Sequence, residues 1–329
     1  MKIGKVPENV LARSILKQLH TKRSEVLLGA GIGEDCAAVK LAEDEIFVLS
    51  TDPITGTAKD IGKLAIQITL NDLASSGAEP VGVLLTILLP ENAKESQLKQ
   101  IMAQMEEGCA AARVQIMGGH TEVTAVVNQP VVTVCGVGKV KEGKLVMTSG
   151  ARPGMDLVVT KWIGIEGTSI IAKEKEEELK TRFSASFIEK AKGLDVYLSV
   201  LSEAAVAVSS GVSAMHDVTE GGIFGALWEM AEASGVGLDV DLKKIPVRQE
   251  TIEICEFYGI NPYRLISSGS MLMATTDGNK MVRELEKAGI HAVVIGKVTE
   301  GKDRVIRKDE EEHRFLERPK TDELYNIYA

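Results

Sequence analysis

The sequence is poor in aromatic residues and cysteine, and it has no long hydrophobic run. Aromatic side chains make up only 4% of the 329 residues, although apolar residues together make up 44%, which suffices for sizeable hydrophobic cores. The longest apolar run, from Val81 to Pro90, is too short to cross a bilayer. The four cysteines are widely spaced and form no CxxC pair, so we expect reduced, mostly buried thiols. Neither a membrane-spanning protein nor a disulfide-stapled module is expected.

The sequence also lacks an excess of positive charge. It has 38 lysines and arginines against 47 aspartates and glutamates, a net charge of −9. No basic half or basic stripe is present, which argues against a nucleic-acid partner or an anionic membrane surface. The N-terminal segment includes Glu8 and alternates polar with apolar residues, a pattern that does not predict a signal peptide, so we expect a cytoplasmic protein. A negatively charged protein with a negatively charged ligand needs a metal cation or backbone donors at the contact.

Hydrophobic periodicity predicts two domains. The first half alternates strand-like and helix-like segments, which predicts a mixed α/β or α+β unit. Its expected strands are 45–50, 81–89, 114–117 and 131–137, and its expected helices are 60–76 and 96–113. The turn-rich segment Thr148–Gly154 predicts the boundary, which gives domains 1–150 and 151–329.

The second half has the same mixed character. Its expected strands are 156–160, 238–240, 271–275 and 292–296, and its expected helices are 184–191, 196–209, 222–233 and 280–288. The charged segment 173–182 is expected to be a solvated helical face. The polar tail 318–329 is expected to lie on the surface.

A glycine-rich segment with two acids is the first candidate binding loop. The text GAGIGED at 29–35 includes Gly33 and Asp35 but fits neither GxGxxG nor GxxxxGK[ST]. Two acids after the glycines would repel a bare phosphate. With Mg²⁺ the effect reverses, because this ion prefers one or two carboxylates together with phosphate oxygens and water. An ordinary glycine turn is the alternative.

Three further segments carry polar groups where a ligand is expected, and the first and third of them are predicted loops that follow strands. Asp52 follows the predicted strand 45–50, the usual place for a ligand in α/β proteins. Asn71 and Asp72 interrupt an apolar helix, and because a carboxylate is costly to bury alone, the pair must face solvent or an ion. A glycine-containing segment then follows an apolar strand, and its residues are Gly118, Gly119, His120 and Thr121. Together these segments favour a polyphosphate–metal site.

The second half contains one comparable segment, at 216–222. Asp217 and Glu220 fit a helix capping box, but that motif does not explain Gly221 and Gly222 in the first turn. Glycines there allow a ligand anion to reach the N–H groups at the positive end of the helix. His216 is either an acid–base group or a polar packing residue. The segment Ser267–Ser270 is a second candidate for ligand contact.

Taken in order, these segments resemble the AIR synthase-related superfamily of ATP-dependent enzymes. The resemblance spans nearly the whole chain and is strongest to the HypE-like branch, the hydrogenase expression/formation proteins. The matching segments are GIGEDCAAV at 31–39, STDPITG at 50–56, NDLASSGAEP at 71–80, GGHTEV at 118–123, HDVTEGGIFGALWEMA at 216–231 and NPYRLISSG at 261–269.

The resemblance implies a two-domain AIR synthase-like fold. It implies an N-terminal α/β domain whose sheet pairs with that of a second subunit, a C-terminal α/β sandwich, and Mg-ATP bound at the homodimer interface. By motif, Asp35, Asp52 and Asp72 would bind metal or phosphate with Asn71 beside them. The Gly118–Thr121 segment would add a nucleotide contact. The residues expected to face the acceptor are Asp217, Gly221 and Gly222.

Departures from the family pattern bear on the substrate. His120 replaces the acid that family members commonly carry, which removes one metal ligand, and the last cysteine is Cys255 rather than a terminal residue. We therefore expect an Mg²⁺/ATP-dependent enzyme, kinase-like or ligase-like, that activates an amide, carbamoyl or phosphate oxygen of a separate small acceptor. A HypE-like maturation factor for carbamoyl dehydration, working with a maturation-protein partner, is one alternative. A non-catalytic nucleotide-binding regulator or scaffold is another, whereas the failed GxGxxG disfavours a flavin or nicotinamide enzyme.

Overall fold

A computed structural model describes residues 4–5, 8–30, 38–54, 60–308 and 312–327. The chain divides into two compact units. The N-terminal unit comprises Met1–Ala74 and Ala78–Leu145, and the C-terminal unit comprises Ser75–Gly77 and Val146–Ala329. None of the helices within the described ranges is both long and apolar enough to span a membrane.

The N-terminal unit is a mixed sheet with helices. Its elements are β1 (Gly4–Lys5), α1 (Glu8–Ser14), β2 (Val26–Leu28), β3 (Ala38–Val39), β4 (Glu45–Ile54), α2 (Ile61–Ser75), β5 (Glu79–Leu89), α3 (Glu95–Ala112), β6 (Gln115–Val123) and β7 (Val131–Lys141). The strand order is β1-β6-β5-β7-β4, in which β5 and β6 are parallel and the other pairs are antiparallel. Strands β2 and β3 form a separate antiparallel pair.

Two amphipathic helices build the core of this unit. Helix α2 buries residues at helical spacing, such as Ile61, Leu64 and Leu73, and α3 does the same with Leu98 and Met102. The edge strand β4 is different, because its residues alternate between half-buried and exposed. One face of β4 therefore stays open to solvent within this unit.

Two segments predicted as loops are strand residues, so those two predictions were wrong. Strand β4 continues to Ile54 because β7 supplies ladder partners along its whole length, including Val134 opposite Asp52. Proline at position 53 is tolerated because β4 is an edge strand. Similarly, Gly118–Thr121 lies inside β6, which pairs with β5 beyond a register shift at Val83/Leu84. Glycine is unfavourable in strands on average, but the hydrogen bonds and packing that β5 provides outweigh that preference here.

The C-terminal unit contains a larger sheet. Its elements are β8 (Asp156–Thr160), α4 (Ile165–Glu174), α5 (Glu176–Leu179), α6 (Ala185–Lys192), α7 (Leu201–Ser209), β9 (Ala214–Val218), α8 (Gly222–Ser234), β10 (Gly237–Asp241), α9 (Gln249–Tyr258), β11 (Ser270–Thr275), α10 (Gly278–Lys287), β12 (Ala292–Thr299), β13 (Arg304–Arg307) and β14 (His313–Phe315). The strand order is β14-β13-β10-β12-β8-β11-β9.

The sheet topology brings several chain segments to one edge. Strand β11 is antiparallel to both of its neighbours, β8 and β9. The carboxyl ends of β8 and β9 therefore lie beside the start of β11, where the connections to α4 and α8 begin. Edges of this kind are where α/β sheets commonly bind ligands.

Two predictions for this unit were wrong. The predicted helix 196–209 is a 3-10 turn at Gly193–Tyr197 followed by α7 from Leu201. The C-terminal tail is not wholly superficial, because Asp322 and Leu324 are only 1% and 6% exposed. Leu324 packs into the apolar cluster that includes Cys255 and Leu265, and such burial outweighs the polar composition of the segment.

Candidate active site

A hydroxyl group brings two carboxylates of the N-terminal unit together. Ser50 Oγ donates to Asp72 Oδ2 at 2.5 Å and lies 3.4 Å from Asp52 Oδ2. Ser50 and Asp52 point to the same face of β4 because they are two residues apart, and Asp72 reaches them from α2. Both aspartates are partly exposed. The arrangement presents carboxylate oxygens that solvent and ligands can reach.

A glycine on the neighbouring strand explains how α2 comes so close. Gly136 lies opposite Ser50 in the β4–β7 ladder. A Cβ atom at Gly136 would lie 2.6 Å from Thr69 Cγ2 and 3.0 Å from Leu73 Cδ1, so any larger residue would push α2 off the sheet. The absent side chain at Gly136 thus lets Asp72 extend to the next strand.

Asn71, the residue before Asp72, lies in the core of the N-terminal unit. Asn71 is fully buried, and its Oδ1 accepts a hydrogen bond from Gln67 Nε2 at 3.1 Å, one helical turn earlier. Successive residues of a helix point in different directions, so Asn71 faces the core while Asp72 reaches β4. The sequence predicted Asn71 and Asp72 as one polar pair, whereas in the structure Asn71 is buried in the core and only Asp72 is near Ser50 and Asp52.

The Gly118–Thr121 segment lies on β6, which is separated from β4 and Asp52 by the two strands β5 and β7. Gly119 has φ +147°, and a Cβ there would lie 2.0 Å from the Leu85 carbonyl oxygen, so the close approach of β5 requires glycine. His120 is exposed, and its Nε2 lies 3.2 Å from Glu122 Oε2. Together with Thr121, these residues line one side of a cavity of about 60 Å³.

The donor set of the N-terminal site suits a hard divalent cation. Gly33 and Asp35, two of the predicted ligand-binding residues, lie outside the described residues. Within the described ranges, no three acidic, histidine or cysteine side chains are grouped tightly enough to hold a metal by themselves. Asp52 and Asp72 remain as a carboxylate pair, which matches the preference of Mg²⁺ for a few carboxylates completed by phosphate and water.

His216 and Asp217 of the C-terminal unit point to opposite faces of the sheet. They are consecutive residues of β9, so their side chains alternate. His216 Nε2 lies 2.8 Å from Glu229 Oε2 of α8, whereas Asp217 is 5% exposed and acts electrostatically on the buried Glu166. The structure therefore does not bring these two predicted catalytic residues into one group.

The start of α8 is occupied by a carboxylate of the same chain. Gly221 and Gly222 have φ values of +83° and +62°. A Cβ at Gly222 would lie 2.6 Å from the Tyr263 carbonyl oxygen, so this glycine is needed for packing. The Gly221 N–H donates to Asp322 Oδ2 at 2.7 Å. The N–H group predicted to face a ligand anion is thus bound to the C-terminal tail.

Sequence reasoning missed two acids of this region. Glu166 lies in the first turn of α4 and is 2% exposed, and its Oε2 accepts a hydrogen bond from the Ser268 N–H at 3.1 Å. The position of Glu166 shortly after the end of β8 could have identified it from the sequence. The sequence did identify the segment of its partner, Ser267–Ser270. Asp322 gave no signal, because its partner Gly221 lies 101 positions earlier in the chain.

The fold is that of a two-domain mixed α/β protein, here with a pair of carboxylates in the N-terminal unit. Two family models match this chain. "AIR synthase related protein, N-terminal domain" matches residues 33–140, and "AIR synthase related protein, C-terminal domain" matches residues 152–309. The chain belongs to the AIR synthase related family. Its relatives place it on the HypE-like side of that family.

Two relatives cover most of the chain. A putative hydrogenase expression/formation protein of Methanocaldococcus jannaschii is 28% identical over 98% of this chain and 97% of its own length. The carbamoyl dehydratase HypE of Cupriavidus necator is 30% identical over 78% of this chain and 76% of its own length.

Solved structures show the same fold. The hydrogenase maturation protein HypE in complex with ATP has a TM-score of 0.78 at 21% identity, covering 98% of this chain and 97% of that one. HypE in a HypE–HypF complex has a TM-score of 0.71 at 25% identity, covering 83% of this chain and 90% of that one.

Proposed function

We propose that this protein is an Mg²⁺- and ATP-dependent enzyme that activates an oxygen atom of a small acceptor by phosphorylation. The observation that carries the proposal is the meeting of the Asp52 and Asp72 carboxylates at Ser50, in a chain of the AIR synthase related family. The family likeness to a HypE bound to ATP supports a nucleotide as the ligand.

In this proposal Asp52 and Asp72 would hold Mg²⁺, with Asp35 as a further ligand. The ion, when bound, neutralises charge that develops on the transferring phosphoryl group. Ser50 orients Asp72, and Gly136 fixes the distance between α2 and β4 on which the pair depends. Gly118–Thr121, on the same sheet, would contact the nucleotide.

We propose a carbonyl or amide oxygen as the group that is activated. The likeness to carbamoyl dehydratases supports a carbamoyl acceptor, since a carbamoyl group is an amide. Cys255 is unsuited to carry such a group, because the thiol is 1% exposed and burial raises its pKa to about 12. The acceptor would then be a separate molecule or a group carried by another protein.

We also propose two protein contacts. On the outer face of β4, Phe47 and Leu49 are 51% and 64% exposed, and this apolar surface suits pairing with the same sheet of a second subunit. A HypE–HypF complex supports a maturation protein as a further partner. The cytoplasm is the proposed location, because the cysteines in the described ranges, Cys109, Cys135 and Cys255, are free thiols.

Acceptor-stimulated ATP consumption tests the proposal. Purified protein is incubated with Mg-ATP and, separately, with amides, phosphate esters and carbamoyl compounds, and ADP and AMP release are measured. Stimulation by at least one acceptor, lost on adding EDTA, is the expected result. Tight ATP binding without consumption under any condition would instead support the non-catalytic regulator or scaffold.

A further inference from the structure

The C-terminal unit contains two arginine–tryptophan stacks, built on the only two tryptophans of the sequence. In one stack the Arg304 guanidinium lies over Trp228, with Cζ 4.7 Å from the ring centroid. In the other the Arg248 guanidinium lies over Trp162, with Cζ 3.9 Å from the centroid. In both arginines Nε is buried and has no hydrogen-bond partner among the described residues. The two guanidinium groups are therefore held in a similar way, by contact with an indole ring.

A carboxylate of the chain itself completes the first stack. Arg304 Nη2 donates to Glu232 Oε2 of α8, and a second guanidinium, that of Arg318, lies 5.6 Å from the centroid of the Trp228 ring. The indole ring holds the Arg304 guanidinium in place while an outer N–H group binds the carboxylate, which is a charge-assisted hydrogen bond. This stack thus combines an aromatic ring, a guanidinium and a carboxylate.

The second stack has no such carboxylate among the described residues. The Arg248 side chain forms no ion pair and no hydrogen bond within the described ranges, and it contacts the rings of Trp162 and Tyr197. Its Nη groups, unlike its Nε, are not buried. Although the chain has a net charge of −9, no described acid neutralises this arginine. The accessible side of the guanidinium therefore matches a carboxylate from outside the chain.

The surroundings of Arg248 are aromatic and apolar. Tyr197 packs edge-on against the indole ring, with centroids 5.4 Å apart, and His291 stacks on the same ring at 5.9 Å. Val196 and Tyr197 are 68% and 36% exposed, and Ile252 on α9, one turn after Arg248, is 42% exposed. Arginine, tryptophan and tyrosine are the residue types that contribute most to protein–protein contacts. This surface therefore suits a protein segment better than a free ion.

We propose that Arg248 and the rings around it form a docking surface for another protein, and that the occupant is an acidic side chain flanked by apolar residues. The carboxylate accepts from the Nη groups of Arg248, as the Glu232 carboxylate accepts from Arg304. The apolar neighbours of that acid cover Val196 and Ile252. None of these residues takes part in the proposed Mg-ATP site, so this surface is a separate function of the chain.

NMR of the two tryptophans tests the surface directly. The full-length protein is labelled with ¹⁵N and titrated with the acetylated and amidated tripeptide leucine–glutamate–leucine. The indole N–H resonance of Trp162 and the Nε–H resonance of Arg248 should shift with the peptide. The Trp228 resonance should not shift, because its arginine already binds Glu232. No shift at Trp162 or Arg248, or equal shifts at both tryptophans, would overturn the proposal.

Two matched controls test the charges of the contact. A peptide with glutamine in place of glutamate, and an Arg248→Gln protein, should each reduce the affinity at least about tenfold. Arg248→Lys keeps the charge but loses the planar set of donors, so it should recover only part of the affinity. An unchanged Trp228 resonance shows that each variant is folded. Full affinity in folded Arg248→Gln would refute the role of the guanidinium.

A gain of binding tests the comparison between the two stacks. Glu232→Ala removes the carboxylate that Arg304 binds, so the same peptide should now shift the Trp228 resonance as well. No response at Trp228 would contradict the equivalence of the two stacks, on which the choice of a carboxylate depends.

Sedimentation velocity tests a second copy of this chain as the alternative occupant. Wild type and Arg248→Gln should have the same oligomeric state, because the proposed acid belongs to a different protein. A loss of self-association in folded Arg248→Gln would show that a second copy supplies the carboxylate, and it would overturn the assignment to another protein.

Discussion

The two units assemble acidic side chains in opposite ways. In the N-terminal unit Asp52 and Asp72 are partly exposed and converge on the Ser50 hydroxyl, whereas in the C-terminal unit Glu166 and Asp322 are at most 2% exposed. Carboxylates that reach solvent can exchange water for a hydrated cation. Buried carboxylates without a cation favour the protonated form. The contrast teaches that burial alone changes what a carboxyl group can do: it raises the pKa of Glu166 to about 7, whereas the Asp52 and Asp72 carboxylates stay open to solvent and ligands.

The strongest test of this contrast removes the N-terminal charges. Asp52→Asn combined with Asp72→Asn preserves side-chain size but eliminates both charges offered to the cation, so affinity for Mg-ATP should fall about 100-fold or more. Calorimetric titration measures this change. Asp44→Asn is the control, because Asp44 is an exposed acid that pairs with Lys141. If a folded double variant kept the wild-type affinity for Mg-ATP, Asp52 and Asp72 would not be cation ligands, and the contrast between the two units would not hold.

The pH dependence of the free energy of unfolding tests the buried Glu166 of the C-terminal unit. Burial raises the pKa of Glu166 from its ordinary 4.5 to about 7, so the folded chain holds this proton more tightly than the unfolded chain does. Its contribution to the free energy of unfolding is complete below pH 4.5 and is lost as the pH rises through about 7, by about 3 kcal/mol.

Glu166→Gln should therefore abolish that loss. Urea unfolding midpoints of wild type and Glu166→Gln at pH 5 and pH 8 give the comparison. The wild type should lose this stability between the two pH values, and the variant should not. A Glu166 variant that showed the same loss would show that Glu166 is not the protonated acid.

A smaller effect is expected from changing the packing between α2 and β7, which tests how Asp72 is positioned. Gly136→Ala places a methyl group 2.6 Å from Thr69, which should destabilise the protein by about 1–3 kcal/mol and weaken Mg-ATP binding by moving Asp72. Gly138→Ala, on the same strand, meets its nearest atoms at 3.2 Å and should do less on both counts. Thermal unfolding and calorimetry provide the two readouts. Equal effects of the two variants would mean that α2 is not positioned by Gly136.

The smallest expected effect concerns His216. Loss of a general base commonly reduces turnover by 10²–10⁴-fold. Because His216 pairs with Glu229 on the face of the sheet opposite Asp217, His216→Asn should change acceptor-stimulated ADP release by less than about tenfold. A larger loss, with the variant folded as judged by circular dichroism, would restore the catalytic role that the sequence suggested.

Local pattern predicted the regular elements well. The predicted strand 156–160 is β8, and the predicted helix 60–76 is α2 at Ile61–Ser75, because apolar spacing there is regular and uninterrupted. The candidate segments at 50–54 and 118–121 were identified by their polar residues but assigned to loops. Glycine and proline signal turns, and only the ladder partners supplied by β5 and β7 make these segments strands.

The chemistry at the C-terminal edge needed tertiary information. The sequence paired His216 with Asp217 because they are adjacent, yet the alternation of a strand separates them. Asp322 sits in a polar tail, and nothing in its local sequence indicates contact with Gly221. Glu166 becomes notable only when its burial and its acidic neighbours are known. Residue type and spacing therefore predicted where ligands are expected, whereas burial and long-range contacts distinguish the roles.

Calorimetric titration of ATP into the wild-type protein, once with Mg²⁺ and once with EDTA, tests the central claim most directly. If Asp52 and Asp72 present a cation to the nucleotide, ATP should bind with Mg²⁺ and bind far more weakly with EDTA. Equal affinity under both conditions, or no binding under either, would contradict the account.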